Sequence, residues 1–328
     1  MRAIIPVAGL GTRLRPHTHN TPKVLLNIAG KPILAHILDE LIKQGCDKAT
    51  IITGYLGNMV EEYVKNHYSI EVDFVEQEEM LGLGHAIWCA KDTFDDDLMI
   101  ILGDTIFDAD LSLALKSGKN SLGVKYVDDP RRFGVVVKEG DKVQKLVEKP
   151  DPPISNLAIV GIYYIKDYSM MAKSLSYIID NNIKTKNEYQ LTDALQNMIS
   201  NGAEFDTFDV EGWHDCGKQE TVLATNRFLL DRRDKQQSRD TSNLSNSVVV
   251  EPSYIGKGAT IKNSVIGPYA TVAEDSNISN CVLSDTIIGA GANVENIVIQ
   301  GSLVGSKASL SNSVAVLSIG DNSEVKLG

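Results

Sequence analysis

The sequence predicts an α/β domain with a mixed, mainly parallel sheet, followed by a parallel β-helix. Three observations carry this. Short apolar runs alternate with helix-period segments between residues 2 and 102, the pattern of parallel strands joined by crossover helices. The run Leu98-Met99-Ile100-Ile101-Leu102 is apolar at every position, as a strand covered on both faces must be. From about residue 245 onward, an aliphatic residue followed by small residues recurs at six-residue spacing, with almost no aromatics.

Taken in order, residues 2–8 read as a buried strand that breaks at Gly9 and Gly11, with Arg13 and Lys23 just beyond. A strand ending in glycines lets backbone N–H groups gather around an anion, and an arginine fork with a lysine point charge suits a polyphosphate. No Gly-Lys-Ser/Thr closes the loop, so it is not a Walker A loop. Leu14 stands where a dinucleotide fingerprint needs its third glycine. Lys31 to Gly45 reads as a helix, with Pro32 in the first turn, Leu34, Ile37, Leu38, Leu41 and Ile42 on one face, and Gly45 as the stop. Residues 49–53 are the second strand, 58–66 a helix, and 72–75 a third strand leading to Gln77 and a Gly82-Leu83-Gly84 turn. A third helix begins at His85, and the strand at 98–102 ends at Gly103-Asp104.

Beyond Asp104 the pattern turns antiparallel: 122–127, 133–138 and 143–147 are strands with a Gly140-Asp141 turn, and 158–165 is another strand. Helices near 168–180 and 188–200 and a strand at 204–209 precede Trp213-His214-Asp215-Cys216-Gly217. Residues 218–238 read as a helix whose tail, Asp231 to Asp240, is almost wholly charged or polar and opens a linker. The expected domains are therefore 1–240 and 241–328.

In the second domain Ile255-Gly256-x-x-Ala259-Thr260-Ile261 recurs at Ile266, Ile288 and Val304, and aliphatic hexads continue through Val314, Val316 and Ile319. One aliphatic per face, buried against the coil above and below, fits a parallel β-helix. The end coils of so short a stack expose apolar edges, so this domain is expected to hold protomers together as a homo-oligomer. All six histidines lie at or before His214, so the tail lacks the histidine base that hexapeptide acyltransferases use, and it reads as structural.

The 328 residues allow two domains, and the net charge of −11 argues against nucleic-acid or anionic-membrane partners. Four scattered cysteines without a CxxC pair point to a reduced, cytoplasmic protein with no zinc site. No signal peptide and no apolar run of membrane-spanning length is visible.

Candidate chemistry collects at strand ends. Asp104 follows a buried strand at the carboxyl edge, where open α/β sheets bind ligands and where a carboxylate suits Mg²⁺. Asp215 is the second carboxylate. Glu148-Lys149-Pro150 closes an antiparallel strand, and Gln77 has an amide able to meet a nucleobase edge. His17, His19 and His85 lack a second ligand at metal spacing and are read as non-catalytic.

In this order the motifs resemble the sugar-1-phosphate nucleotidylyltransferase family from residue 1 to about 235. The signature loop is Gly9-Leu10-Gly11-Thr12-Arg13-Leu14 with Pro22-Lys23, joined by Leu102-Gly103-Asp104, Glu148-Lys149-Pro150 and Asp215-Cys216-Gly217. Ile5-Pro6-Val7-Ala8-Gly9, Gly82 to Ile87, Ser155 to Gly161 and Gln190-Leu191-Thr192-Asp193-Ala194 lean toward the uridylyltransferase branch. The tail, similar to the left-handed β-helix of hexapeptide-repeat proteins, departs from that branch and is seen in guanylyl- and some thymidylyl-type relatives. The resemblance implies a Rossmann-like nucleotidyltransferase fold. It also implies Mg²⁺-dependent transfer from a pyrimidine nucleoside triphosphate, dTTP or UTP, to a sugar-1-phosphate such as glucose-1-phosphate, the alternative being an enzyme similar to mannose-1-phosphate guanylyltransferase. Ala8, Gly9, Gly11, Thr12, Arg13 and Gly103 would bind the nucleotide, and Gln77 and Gly82 its base. Lys23 would bridge the two reacting phosphates, and Asp104 and Asp215 would hold the metal. Lys149 would orient the sugar phosphate, while Glu148, Gly161 and Glu188 contact sugar hydroxyls and Gly134 allows close approach. A non-catalytic regulatory relative typically loses the loop arginine or a metal aspartate, and this chain keeps both.

Overall fold

The computed structural model describes residues 1–140, 142–233 and 242–312. The chain divides into two compact units, Met1–Thr225 and Asn226–Gly328.

In the first unit β1 (Arg2–Pro6), β2 (Lys48–Thr53), β3 (Glu71–Glu76) and β4 (Leu98–Ile101) are parallel, in the order β4-β1-β2-β3. All four residues of β4 are fully buried, which accounts for its unbroken apolar run. A short strand outside this sheet, β5 (Thr105–Asp108), follows β4. The sheet is extended by β6 (Asn120–Tyr126), β7 (Gly134–Glu139), β8 (Lys142–Glu148) and β9 (Leu157–Ile165), with β9 antiparallel to β4. β10 (Phe205–Asp209) pairs parallel with β6, giving a nine-stranded mixed sheet among the described residues. β11 (Gly212–Asp215) leaves the sheet and pairs antiparallel with β5.

The α-helices are α1 (Ile33–Lys43), α2 (Gly57–His67), α3 (Leu83–Cys89), α4 (Ser112–Lys116), α5 (Tyr168–Asp180), α6 (Leu191–Ser200) and α7 (Gln219–Asp231). Leu175 and Ile178 of α5 and Leu191, Leu195 and Met198 of α6 pack with Ile87 of α3 against Ile100 and Leu122 of the sheet, forming one apolar core. Several boundaries differ from expectation. Lys31 and Pro32 are taken by a two-residue ribbon with Asn27–Ile28, so α1 starts at Ile33. Ile42, expected on the buried face of α1, is instead exposed. α3 begins at Leu83, not His85, because the Gly84 N–H finds a tertiary acceptor in the Tyr189 carbonyl at 2.7 Å, which serves in place of a cap. The helix expected over 188–200 begins only at Leu191. The expected turn residue Asp141, most of the polar tail to Asp240 and the hexads at Val314, Val316 and Ile319 lie outside the described residues.

The second unit is a stack of three parallel sheets, one per face, in the arrangement of a left-handed β-helix. The first face carries Leu244–Ser245, Thr260–Lys262, Asn277–Ser279, Asn293–Glu295 and Ser309–Ser311. The second begins at Val248–Val249 and the third at Tyr254–Ile255. Ile261, Ile266, Val272, Ile278, Leu283, Ile288 and Val294 point inward and are fully buried. The strict six-residue spacing does not hold. Partners along the stack are 17 residues apart at Asn263 and Asn280, then 16 apart at Asn280 and Asn296. The shortened corners sit at Asn246, Asn263, Asn280 and Asn296, all at positive φ of 47–55°. Asparagine tolerates that left-handed conformation better than other side chains. Their amides form a ladder: Asn246 Nδ2 donates to Asn263 Oδ1 at 2.9 Å, Asn263 to Asn280 at 3.1 Å, and Asn280 to Asn296 at 2.9 Å. In the same unit Asn226 and Arg227 of α7 bond to the third face and its corner, Asn226 to Thr271 and Arg227 to Asp285.

Candidate active site

The carboxyl ends of β1 and β4 open into a cavity of about 470 Å³. The expected residues Ala8, Gly9, Gly11, Thr12, Arg13, Lys23, Gln77, Gly82, Gly103, Asp104 and Glu188 all line it. Two glycines explain how the loop lies so close to the sheet. Gly11 has φ 61°, and a Cβ there would meet Thr18 Cγ2 at 3.0 Å. Gly103 donates to the Pro6 carbonyl at 3.2 Å, and a Cβ on it would strike Val7 Cγ1 at 2.5 Å. Thr18 Oγ1 donates to the Gly11 carbonyl at 2.8 Å and pins the loop from below. The loop therefore presents its N–H groups from a rigid frame.

Lys23 is nearly buried, and its Nζ lies 2.6 Å from Asp104 Oδ2. Asp215 reaches the same place through the β5–β11 ribbon, in which it stands opposite Thr105 while the Cys216 N–H donates to the Asp104 carbonyl at 2.9 Å. A Cβ built on Gly217 would lie 2.8 Å from both Arg13 Nη2 and Asp215 Oδ1, so guanidinium and carboxylate flank one point beside the cavity. Burial pushes the Cys216 thiol up to about 12, so this cysteine stays a protonated packing residue. Among the described residues no group of three or more His, Cys, Asp or Glu could hold a metal ion. Asp104 and Asp215 alone are the donor set that Mg²⁺ takes when phosphate oxygens fill its remaining positions, so the residues fit that ion.

The remaining expected residues do not line the cavity but form a cluster next to it. Glu148 Oε1 is 3.2 Å from Lys149 Nζ, and Glu148 Oε2 accepts from Thr192 Oγ1 at 2.7 Å. A Gly134 Cβ would lie 3.0 Å from Glu148 Oε2 and 2.9 Å from Thr192 Oγ1, so that glycine keeps the carboxylate open. Gly161 accepts from the Leu102 N–H at 3.1 Å, and Leu102 itself lines the cavity, which joins the two regions. Glu188 is held by Gln190, whose Nε2 donates to Glu188 Oε2 at 3.1 Å. Asp193 is half-buried with an unpartnered Oδ2, and burial raises its carboxyl above the ordinary range. Sequence reasoning gave no role to Thr192, Asp193, Met80 or Gly217. The signal for Thr192 and Asp193 was the segment Gln190 to Ala194, a motif without an assigned contact.

The model of the nucleotidyl transferase family matches residues 2–232, and that of the GlmU-like C-terminal hexapeptide matches residues 227–318. A protein named bifunctional protein GlmU from Methanocaldococcus jannaschii is 39% identical over 237 residues, 71% of this chain, and the match spans 55% of that relative's length. A glucose-1-phosphate thymidylyltransferase of Streptomyces antibioticus is 29% identical over 88% of this chain and 87% of its own. A solved UDP-glucose pyrophosphorylase in complex with UDP-glucose shares the fold with a TM-score of 0.62, at 24% identity over 71% of this chain and 99% of that one. No helix among the described residues is long and apolar enough to cross a membrane. By fold and by these matches, the chain belongs to the nucleotidyl transferase family, among the sugar-1-phosphate nucleotidylyltransferases, and carries a C-terminal hexapeptide β-helix.

Proposed function

We propose that the chain transfers a nucleotidyl group from UTP or dTTP to glucose-1-phosphate, releasing pyrophosphate. The observation that carries this reading is the assembly of Arg13, Lys23, Asp104 and Gln77 around one cavity, with Asp215 alongside. A sugar phosphate oxygen is already an anion, so the site needs no general base. It attacks the α-phosphorus, the bond to the β-phosphate breaks, and pyrophosphate leaves with the electron pair. The protein's task is to hold two anions together in line and to meet the developing charge. Arg13 faces the leaving pyrophosphate, the N–H groups of Gly9 and Gly11 hold the nucleotide phosphates, and Lys23 bridges the attacking and attacked phosphates. Lys149 and Glu148 hold the sugar phosphate and its hydroxyls. Mg²⁺ bound at Asp104 and Asp215 supplies charge neutralisation for the phosphates. The test is pyrophosphate release from a matrix of nucleoside triphosphates against sugar-1-phosphates, with and without a chelator. No release from any pair would sink the reading, and release unaffected by chelation would remove Mg²⁺ from it.

The β-helix is proposed to hold protomers together in a cytoplasmic homo-oligomer and to do no chemistry. What supports this is the outer side of its second face, where Val248, Val265, Val282 and Val298 stack in register and stay 36–75% exposed. Light scattering on a chain ending near Asp240, beside the pyrophosphate assay, tests it. An unchanged oligomer would refute the assembly role, and a folded but inactive truncation would refute the separation of tasks.

A further inference from the structure

His85 reads from the sequence as non-catalytic. Its ring lies in α3 and stacks near Trp88 and Tyr189, with centroids at 5.7 and 6.4 Å. Beside it the Gln77 side chain, only 5% exposed, makes two contacts through one atom. Gln77 Nε2 is 3.2 Å from the Gly82 carbonyl oxygen and 3.1 Å from His85 Nδ1. A carbonyl oxygen can only accept, so the amide end facing Gly82 must be the NH₂ group. That group can only donate, so His85 Nδ1 must be an unprotonated acceptor and the ring hydrogen sits on Nε2. Burial acts in the same direction by lowering the His85 pKa. Both acceptors hold the NH₂ end, which leaves Oε1 as the polar atom that Gln77 offers to a ligand in the cavity it lines.

We propose that His85 and the Gly82 carbonyl lock the Gln77 amide with its acceptor toward the nucleotide, so that the site selects bases carrying a ring N–H at the edge they present. This rests on the nucleotidyl-transfer reading above. Uracil and thymine present N3–H and are accepted. Cytosine presents a ring lone pair at the same place and is rejected, because two acceptors facing each other in a nearly buried site leave both hydrogen bonds unmade. Guanine shares the ring N–H and adenine does not, so the amide sorts bases by donor and not by ring size. His85 is a positioning residue: it acts through Gln77 and touches no reacting atom.

The experiment compares kcat/KM for UTP, dTTP and CTP with glucose-1-phosphate in the wild type, His85→Phe and His85→Asn. Phenylalanine keeps the ring stack and removes the acceptor, and asparagine restores an acceptor near the Nδ1 position. The wild type is expected to favour UTP or dTTP over CTP by about 100-fold or more. His85→Phe should narrow that ratio by roughly tenfold, as the loss of one of two anchors implies, and His85→Asn should keep it. His85→Leu replaces the phenylalanine variant should the latter fail to fold. Equal losses with all three nucleotides would mark a structural role and overturn the inference, as would a wild type that uses CTP as readily as UTP. Failure of the underlying reading looks different: the wild type would release no pyrophosphate from any pair. Calorimetric binding of UTP against CTP to the wild type and His85→Phe then decides the inference by the same ratio.

Discussion

The two units use the same strained backbone region in opposite ways. In the first unit positive φ falls at scattered positions with different surroundings, and two of them, Gly11 in the loop after β1 and Lys149 after β8, lie in the site and in the cluster beside it. In the second unit it recurs every 16 or 17 residues, at Asn246, Asn263, Asn280 and Asn296, and those side chains bond to one another. A corner used once can be shaped for a ligand, whereas a repeated corner is shaped for the next copy of itself. Single changes should therefore cost activity without fold in the first unit, and a little fold without activity in the second.

The sharpest way to break that contrast is Asp104→Asn. It should lower kcat by roughly 10³-fold, about 4 kcal/mol, with little change in unfolding temperature. The Asn variant is preferable to Asp104→Ala, because truncation strands the nearly buried Lys23 ammonium 2.6 Å away and adds a stability cost of its own. Activity within about tenfold of wild type would be too small a loss for a metal ligand.

Next in size is Lys149→Ala, which should raise KM for sugar-1-phosphate by about 10- to 100-fold while leaving KM for the nucleotide nearly unchanged. An effect confined to the nucleotide would move Lys149 to the other subsite. Smaller again is Thr192→Val, which removes the hydroxyl donating to Glu148 at 2.7 Å. A lost hydrogen bond to a charged group corresponds to roughly a tenfold rise in KM for the sugar phosphate, and Thr192→Ser should restore it. Equal rises for both substrates would show that Thr192 supports the fold rather than the carboxylate.

The smallest effect is expected in the β-helix. Asn263→Ala loses both ladder bonds and keeps a Cβ at φ 49°, so it should cost about 1 kcal/mol and leave kcat unchanged. Asn263→Gly loses the same bonds without the backbone penalty and should melt above the alanine variant. Equal melting of the two variants would mean that backbone conformation contributes nothing at that corner.

What the sequence made legible follows the length over which a signal is averaged. β4, apolar at four consecutive buried positions, and α5, with a full amphipathic face, were readable because many residues repeat one message. The β5–β11 ribbon was not, because its strands have four residues each, carry mixed polarity and pair across about a hundred residues of chain. Yet that ribbon is what brings Asp215 toward Asp104. Gly84 reads as part of a turn because its hydrogen-bond partner, the Tyr189 carbonyl, is invisible to local pattern. Likewise Thr192 sits on a helix, and nothing within its own turn shows that its hydroxyl meets Glu148. In the β-helix the aliphatic positions were legible, but a six-residue rule overlooked the asparagines that shorten the corners.

The asparagine ladder has a bearing on how such a domain changes over generations. Each rung bonds to an identical rung, so the ladder itself does not record which coil is which. A gene duplication or loss of one whole coil leaves every surviving amide with the same kind of neighbour and every inward aliphatic on its axis. A cut of any other length rotates the aliphatics off the axis. The stack also absorbs a single-residue discrepancy, since Ile266 to Val272 takes six steps and Leu283 to Ile288 takes five while the sheets stay paired. The domain can thus lengthen or shorten by whole coils under mutation without disturbing the pairing of the coils that remain.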